Sequence, residues 1–78
     1  MTEDDLIELG FERYDEFDHR IGDWHYYASD WNGIDLISNA SDEWDSDGLC
    51  VSIIETNILF RSLDDLCTLK ELLGNNLK

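Results

Sequence analysis

The stretch SDEWDSDG contains the residues whose types and spacing come closest to a metal site. Three alternating acids and a glycine have the spacing of the first, third, fifth and sixth positions of an EF-hand calcium loop: Glu43, Asp45, Asp47 and Gly48. The rest of the loop does not follow, because Ile54 stands where the bidentate glutamate belongs and a strand pattern replaces the second helix. A loop that contacts a partner, or a simply solvated loop, explains these acids better than calcium does.

No other group of residues in the sequence predicts a metal site or a catalytic site. A zinc site needs ligands at short paired spacings, whereas His19, His25, Cys50 and Cys67 are scattered singly. Nucleophilic catalysis needs a serine or cysteine beside a positioned base, and neither histidine has a recognisable partner motif. We therefore predict no catalytic residue, no metal and no cofactor. Both cysteines lie in apolar runs, which favours reduced core thiols and a cytosolic protein.

Helices are predicted at the two ends of the chain. Residues 2–9 have Thr2 as N-cap, and residues 62–74 have Ser62 as N-cap and Gly74 as C-cap. In both helices an acid three positions after the cap completes a capping box.

Strands are predicted between the helices. Residues 23–31 and 34–40 flank an Asn-Gly pair, which is typical of a β-hairpin. Residues 49–55 and 58–61 predict a third and a fourth strand. In residues 11–22, Phe11, Tyr14 and Phe17 recur at every third position among charges, so a helical extension and a draped loop are both open.

The sequence thus predicts a single α+β domain over residues 1–78. It is a four-stranded antiparallel sheet flanked by an N-terminal and a C-terminal helix, with both helices on one face. The amino terminus has no basic segment and only a broken apolar stretch, which predicts neither a secretory signal nor a membrane span.

The register of the hairpin decides where its two acids lie. A two-residue type I′ turn places Asp30 directly opposite Asp35, a like-charge pair that destabilises a sheet and so indicates a functional position. A type I turn with a bulge would separate the two carboxylates. The two-residue turn also predicts a core face that carries Tyr27, Trp31, Ile34 and Leu36.

Charge separates the chain into two unequal halves. The formal net charge is −14, and residues 1–48 hold 15 acidic and 2 basic residues, or −13. Eight of the nine aromatic residues lie in the same half. Such a chain repels nucleic acid and anionic membranes and attracts basic proteins. Rings set among carboxylates suit a protein-binding surface.

In character the chain resembles small phage proteins that disarm bacterial defence nucleases, including anti-CRISPR proteins and DNA mimics. The likeness lies in the small α+β unit, the charge of −14 and the acidic half with its many rings, and no motif is shared. It implies a non-enzymatic inhibitor in the host cytoplasm that occupies the nucleic-acid channel of an effector. Duplex DNA would carry 14 charges over about 24 Å, against a diameter of about 30 Å for a compact domain of this size.

Two other functions stay open. An immunity protein that neutralises a basic nuclease toxin would have nearly the same sequence character, and a metal-binding domain is the third interpretation. For a partner-binding protein, Trp24 and Trp31 are expected in the core, whereas Trp44 has only polar neighbours. The predicted contact residues are Asp23, Asp30, Asp35, Asp42, Glu43, Trp44, Asp45 and Asp47.

Overall fold

The computed structural model describes residues 1–76, and within them five antiparallel strands form one sheet in the order β1-β2-β3-β4-β5. A 3₁₀ turn, Ser41–Glu43, precedes the second helix. The elements are α1 (Glu3–Glu8), β1 (Glu12–Asp18), β2 (Gly22–Trp31), β3 (Ile34–Ser38), α2 (Trp44–Asp47), β4 (Val51–Ile53), β5 (Leu59–Phe60) and α3 (Leu63–Asn76).

The α+β class is confirmed, but the prediction of four strands is wrong. The segment for which a helix and a loop are both predicted forms β1, which pairs over its whole length with β2, from Glu12↔Ala28 to Asp18↔Gly22. Six of the seven side chains of β1 are exposed, so the strand has no apolar alternation to reveal it. Its state comes from hydrogen bonds to β2, which lies later in the chain.

Helix α1 begins as predicted. The Thr2 hydroxyl accepts from the backbone N–H of Asp5, and the Asp5 carboxylate accepts from the backbone N–H of Thr2, which completes the capping box. Gly10 follows the helix with φ of 94°, in the region that favours glycine after a helix.

Helix α3 begins near its predicted start but does not end at its predicted cap. The Ser62 hydroxyl accepts from the backbone N–H of Asp64 at 3.2 Å. The helix runs through Gly74 to Asn76, so the prediction of Gly74 as C-cap is wrong. A glycine inside a helix costs only about 1 kcal/mol relative to alanine, which the rest of a 14-residue helix absorbs.

The β2–β3 hairpin has the two-residue turn. Asn32 and Gly33 have φ of 55° and 88°, as a type I′ turn requires. Asp30 therefore pairs with Asp35, and the bulged register is excluded.

All the buried packing lies on one face of the sheet. Leu6 of α1 and Leu66 of α3 are fully buried in the same cluster, which confirms that the two terminal helices share a face. The sheet contributes Tyr27, Trp31, Leu36 and Val51, Phe11 joins them from the residue before β1, and Ile34 packs against them half-buried. The core face predicted for the hairpin is therefore confirmed. Among residues 1–76, no helix is long and apolar enough to span a bilayer.

Candidate functional site

The face of the sheet opposite the helices is uncovered over residues 1–76, and we call it the open face. Side chains alternate between faces along a strand, and the pairing of β1, β2 and β3 puts one set of alternate residues together on this side. None of them is buried. The open face comprises Glu12, Tyr14, Glu16, Trp24, Tyr26, Ala28, Asp30, Asp35 and Ile37.

Three rings contact one another across the middle of the open face. The Tyr14 and Tyr26 rings stack 5.4 Å apart at an interplanar angle of 18°, and the Trp24 ring lies 5.8 Å from Tyr26, tilted by 33°. Trp24 is predicted in the core and instead stands half-exposed on this surface. These contacts hold each ring in place, so the face presents a preformed aromatic row.

The Tyr14 hydroxyl ties this row to the first of the acids. It donates to Glu12 Oε2 at 3.1 Å. That hydrogen bond and the charge of the Glu12 carboxylate raise the pKa of Tyr14 above its ordinary value. The hydroxyl therefore stays protonated at neutral pH and remains a donor.

Carboxylates border the rings at both ends. Glu12 and Glu16 flank Tyr14 along β1, about 6.8 Å away on either side by strand geometry. At the hairpin end, Asp30 and Asp35 are directly opposite one another and both exposed. Asp30 also stabilises the turn, because its Oδ1 accepts from the backbone N–H of Gly33 at 2.9 Å.

A groove of about 430 Å³ lies between the two groups of acids. The small residues Gly10 and Ala28 leave the space, and Tyr14 and Ile54 form part of its walls. Three carboxylates line it: Glu12, Asp30 and Asp35. A ring beside several carboxylates suits the guanidinium of an arginine, which stacks on aromatic faces and donates to carboxylates in a planar fork.

The acidic segment around Trp44 lies on the other side of the sheet. The Trp44 ring packs edge-on against His25 at 5.1 Å and parallel to Tyr27 at 6.4 Å, and its Nε1 donates to the backbone oxygen of Asn39 at 3.0 Å. Because Tyr27 points to the core, this segment belongs to the helix-bearing side. Trp44 is thus half-buried and serves packing.

The structure therefore does not bring the two predicted contact regions together. Asp42, Glu43 and Asp45 are exposed on the helix-bearing side, whereas Asp30 and Asp35 are on the open face. The side chain of Asp47 lies outside the described part of the structure.

Asp23 lies apart from both groups. It pairs with Phe17 on the helix-bearing side, next to the turn that connects β1 and β2. There it borders a hollow of about 360 Å³ shared with Arg13, Asp15 and His25.

A polar cluster joins α1 to the sheet. Glu3 Oε1 lies 2.7 Å from His25 Nε2 and accepts from the Tyr27 hydroxyl at 3.0 Å. The hydrogen bond from His25 lowers the pKa of Glu3, against the opposing effect of partial burial. Burial, followed by the bond to Glu3, raises the pKa of Tyr27. These groups anchor α1 to the helix-bearing side of the sheet.

Among the side chains that the structure describes, no three of the His, Cys, Asp and Glu residues come close enough together to hold a metal ion. The segment with EF-hand-like spacing folds as a 3₁₀ turn followed by the four-residue helix α2.

The molecule is longer than a compact domain of its size, with extents of 46 × 24 × 21 Å. Along 46 Å, a net charge of −14 averages one charge per about 3.3 Å. B-DNA has one charge per about 3.4 Å for each strand and per about 1.7 Å for the duplex. The average over both faces is therefore close to the charge per unit length of one nucleic-acid strand and about half that of the duplex.

Comparison with protein-family models, with curated proteins and with solved structures found no match to this chain. Function must therefore be inferred from the geometry of the chain itself.

Sequence reasoning missed most of the open face. Of its residues, only Asp30 and Asp35 were predicted as contacts, because the other acids belong to β1, whose state was left open. A signal was present in FERYDEF, where two glutamates stand on either side of a tyrosine at alternate positions. Pairing with β2 turns that spacing into a common face.

Proposed function

We propose that this protein is a non-enzymatic, acidic inhibitor that binds the basic nucleic-acid-binding surface of a defence nuclease or effector through its open face. The observation that carries the proposal is the row of three contacting rings, bordered by exposed carboxylates, on a face that no helix in residues 1–76 covers. Protein-binding sites concentrate their affinity in such aromatic anchors within a polar rim.

The chemistry of the open face selects a basic partner. Nucleic-acid-binding surfaces are rich in arginine and lysine, and an arginine can stack on Tyr14 or Trp24 while it donates to a neighbouring carboxylate. The net charge of −14 steers basic proteins toward the molecule. The same charge disfavours nucleic acid itself and anionic membranes as ligands.

The linear charge density supports competition with a nucleic-acid strand. The average of one charge per about 3.3 Å along the long axis is close to that of a single strand, and phosphate contacts respond chiefly to charge, so competition does not need a one-to-one match of positions. The cytoplasm, where such effectors act, is the expected compartment.

Two variants with the same net charge can test which acidic surface binds. The first carries Glu12→Gln, Glu16→Gln and Asp35→Asn on the open face, and the second carries Asp42→Asn, Glu43→Gln and Asp45→Asn on the helix-bearing side. Each changes the net charge from −14 to −11. Immobilised wild type and both variants are used to capture proteins from bacterial lysate, and captured proteins are identified by mass spectrometry and challenged with single-stranded and duplex DNA.

We expect the wild type and the second variant to capture a nucleic-acid-binding protein that added DNA displaces, and the first variant to lose it. If only the second variant failed to capture the protein, the binding site would be the segment around Trp44 and not the open face. Equal weakening of both would mean that bulk charge, not the open face, accounts for binding. A captured toxin nuclease would select the immunity-protein interpretation.

A further inference from the structure

Strand β1 is the longer exposed edge of the sheet. It has seven residues and only β2 as a neighbour within the described residues, whereas the opposite edge, β5, has two residues and leads directly into α3. An exposed edge strand presents unpaired backbone N–H and C=O groups to any extended chain that approaches it.

The direction of the backbone groups on β1 follows from β2. The N–H groups of His25 and Tyr27 point away from β1, because each donates to a serine hydroxyl on the far side of β2. Backbone groups alternate in direction along a strand, so the even-numbered residues of β2 bond to β1. Their partners are the even-numbered residues of β1. Arg13, Asp15 and Phe17 therefore direct their N–H and C=O groups outward.

The side chains of this edge are acidic with one apolar end. Four acids and one arginine give β1 a net charge of −3. Arg13 is held by Asp15 through an ion pair of 2.9 Å, and that hydrogen bond raises the pKa of Arg13. Phe17, at the far end, is 62% exposed. The edge thus offers negative charge along its length and an apolar contact at its end.

A second copy of the chain is a poor occupant for this edge. A fully overlapping antiparallel pair would place Asp15 opposite its own copy and Glu12 opposite Asp18 of the second copy. Like charges in directly opposed positions destabilise a sheet, and each copy adds a net charge of −14. Charge on an edge strand is also a common protection against self-association.

We propose that β1 accepts an extended, basic segment of the partner as a sixth, antiparallel strand. This rests on the proposed function, because the open face and the edge share β1. The added strand would place arginine or lysine beside Glu12 and Glu16 on the open face and beside Asp15 on the other face. An aliphatic residue would lie beside Phe17. Backbone hydrogen bonds supply affinity and the alternate side chains supply specificity in this mode of recognition.

A peptide probe separates strand addition from simple charge attraction. The probe is the acetylated and amidated octapeptide TVRKVTRT, which has basic residues at the positions described. Two isomers are prepared: one is N-methylated at the second, fourth and sixth amides, the other at the third, fifth and seventh. The two isomers have identical charge and side chains. The isomer methylated at the third, fifth and seventh amides retains the N–H groups that face β1, and the other isomer lacks them. Binding to the full chain is measured by NMR titration.

We expect the isomer that is methylated toward solvent to bind like the parent peptide. The isomer that lacks N–H groups facing β1 should bind at least about tenfold more weakly, because up to three hydrogen bonds of about 0.5–1.5 kcal/mol each are lost. Equal binding by both isomers, or no binding of the parent, would overturn strand addition.

A pair of variants tests the same inference on the protein. Asp15→Pro removes one outward N–H without touching the ladder to β2, and proline is tolerated on the free side of an edge strand. Asp15→Thr removes the same charge but keeps the N–H. Thermal melts confirm that both fold. In the lysate capture, strand addition is supported if the Asp15→Pro variant no longer captures the partner and the Asp15→Thr variant still does. If both variants still capture the partner, strand addition is overturned and the open-face proposal stands. If the wild type captures no basic protein, the open-face proposal fails, and strand addition is then judged by the peptide titration.

Discussion

Replacing Asp35 with threonine should make the protein more stable. Asp30 and Asp35 are directly opposite across the hairpin, and the pair next to a two-residue turn and its flanking hydrogen-bonded pair has its side chains close together. With the two charges about 6 Å apart, their repulsion in water is about 0.7 kcal/mol. The full dielectric of water applies because both residues are exposed.

The two members of this pair should not respond alike. Asp35→Thr removes the repulsion and adds a β-branched residue suited to a strand, so the free energy of unfolding should rise by about 0.5–1 kcal/mol. Asp30→Thr gains as much but also loses the hydrogen bond from Gly33, worth about 1 kcal/mol. Its net effect should be near zero.

Thermal melts of both variants at low and high salt provide the measurement. For a domain of this size, Asp35→Thr should raise the Tm by roughly 2–8 °C. The gain should shrink as salt increases, because the repulsion is screened over about 8 Å at physiological ionic strength.

The isosteric variants Asp30→Asn and Asp35→Asn isolate the charge, since asparagine can still accept from Gly33. If repulsion is responsible, each single change should stabilise and the double change should add little beyond either one. Additive effects, or a less stable Asp35→Thr, would refute the reasoning. If the open face is the contact surface, Asp35→Thr should also weaken capture of the partner, a trade of activity for stability.

Three further results are expected. Trp44→Ala should lower the free energy of unfolding by about 2–4 kcal/mol in a urea titration, because removal of the half-buried ring leaves a cavity. A nearly neutral change would mean that Trp44 is a contact residue and not a packing residue. The pKa of Glu3 is lowered from 4.5 in the folded state, so its contribution to stability is present above that value and lost as pH falls through the folded pKa. The Tm difference between wild type and Glu3→Gln should therefore be full at pH 7 and shrink below about pH 4.5, and a constant difference would contradict the role of the bond to His25. Added salt should raise the Tm by screening self-repulsion, equally for sodium and calcium at matched ionic strength; a large stabilisation by micromolar calcium alone would restore the metal site.

Local interactions explain which parts of the fold were predictable. The capping box of Thr2 and Asp5 and the Asn-Gly turn each involve residues within three positions of one another, so the sequence contains all the partners. The hairpin turn then sets the register and with it the core face. Gly74 shows the limit of such reasoning, because a glycine is only weakly disfavoured inside a helix and the rest of α3 continues through it.

The candidate site was predictable only in part. The charge and the abundance of rings in the first 48 residues are properties of the sequence, and they indicate a basic partner without any coordinates. The sequence does not show on which side of the sheet each acid lies. Nothing in the sequence distinguishes Asp42, Glu43 and Asp45 from Asp30 and Asp35, whereas the packing of Trp44 against Tyr27 places the first three on the helix-bearing side.

By itself, the sequence determined the α+β class, the Asn-Gly hairpin, the helix starts and the concentration of acids in the first 48 residues, because these depend on neighbours along the chain. The structure decided between the two registers of the hairpin and so placed Asp30 opposite Asp35. The tertiary structure alone decided that residues 12–18 form an edge strand and that Glu12, Tyr14 and Glu16 share the open face with Trp24 and Tyr26. The reason is physical: a strand exposed on both faces has no hydrophobic period of its own, and its conformation is supplied by hydrogen bonds to a partner strand.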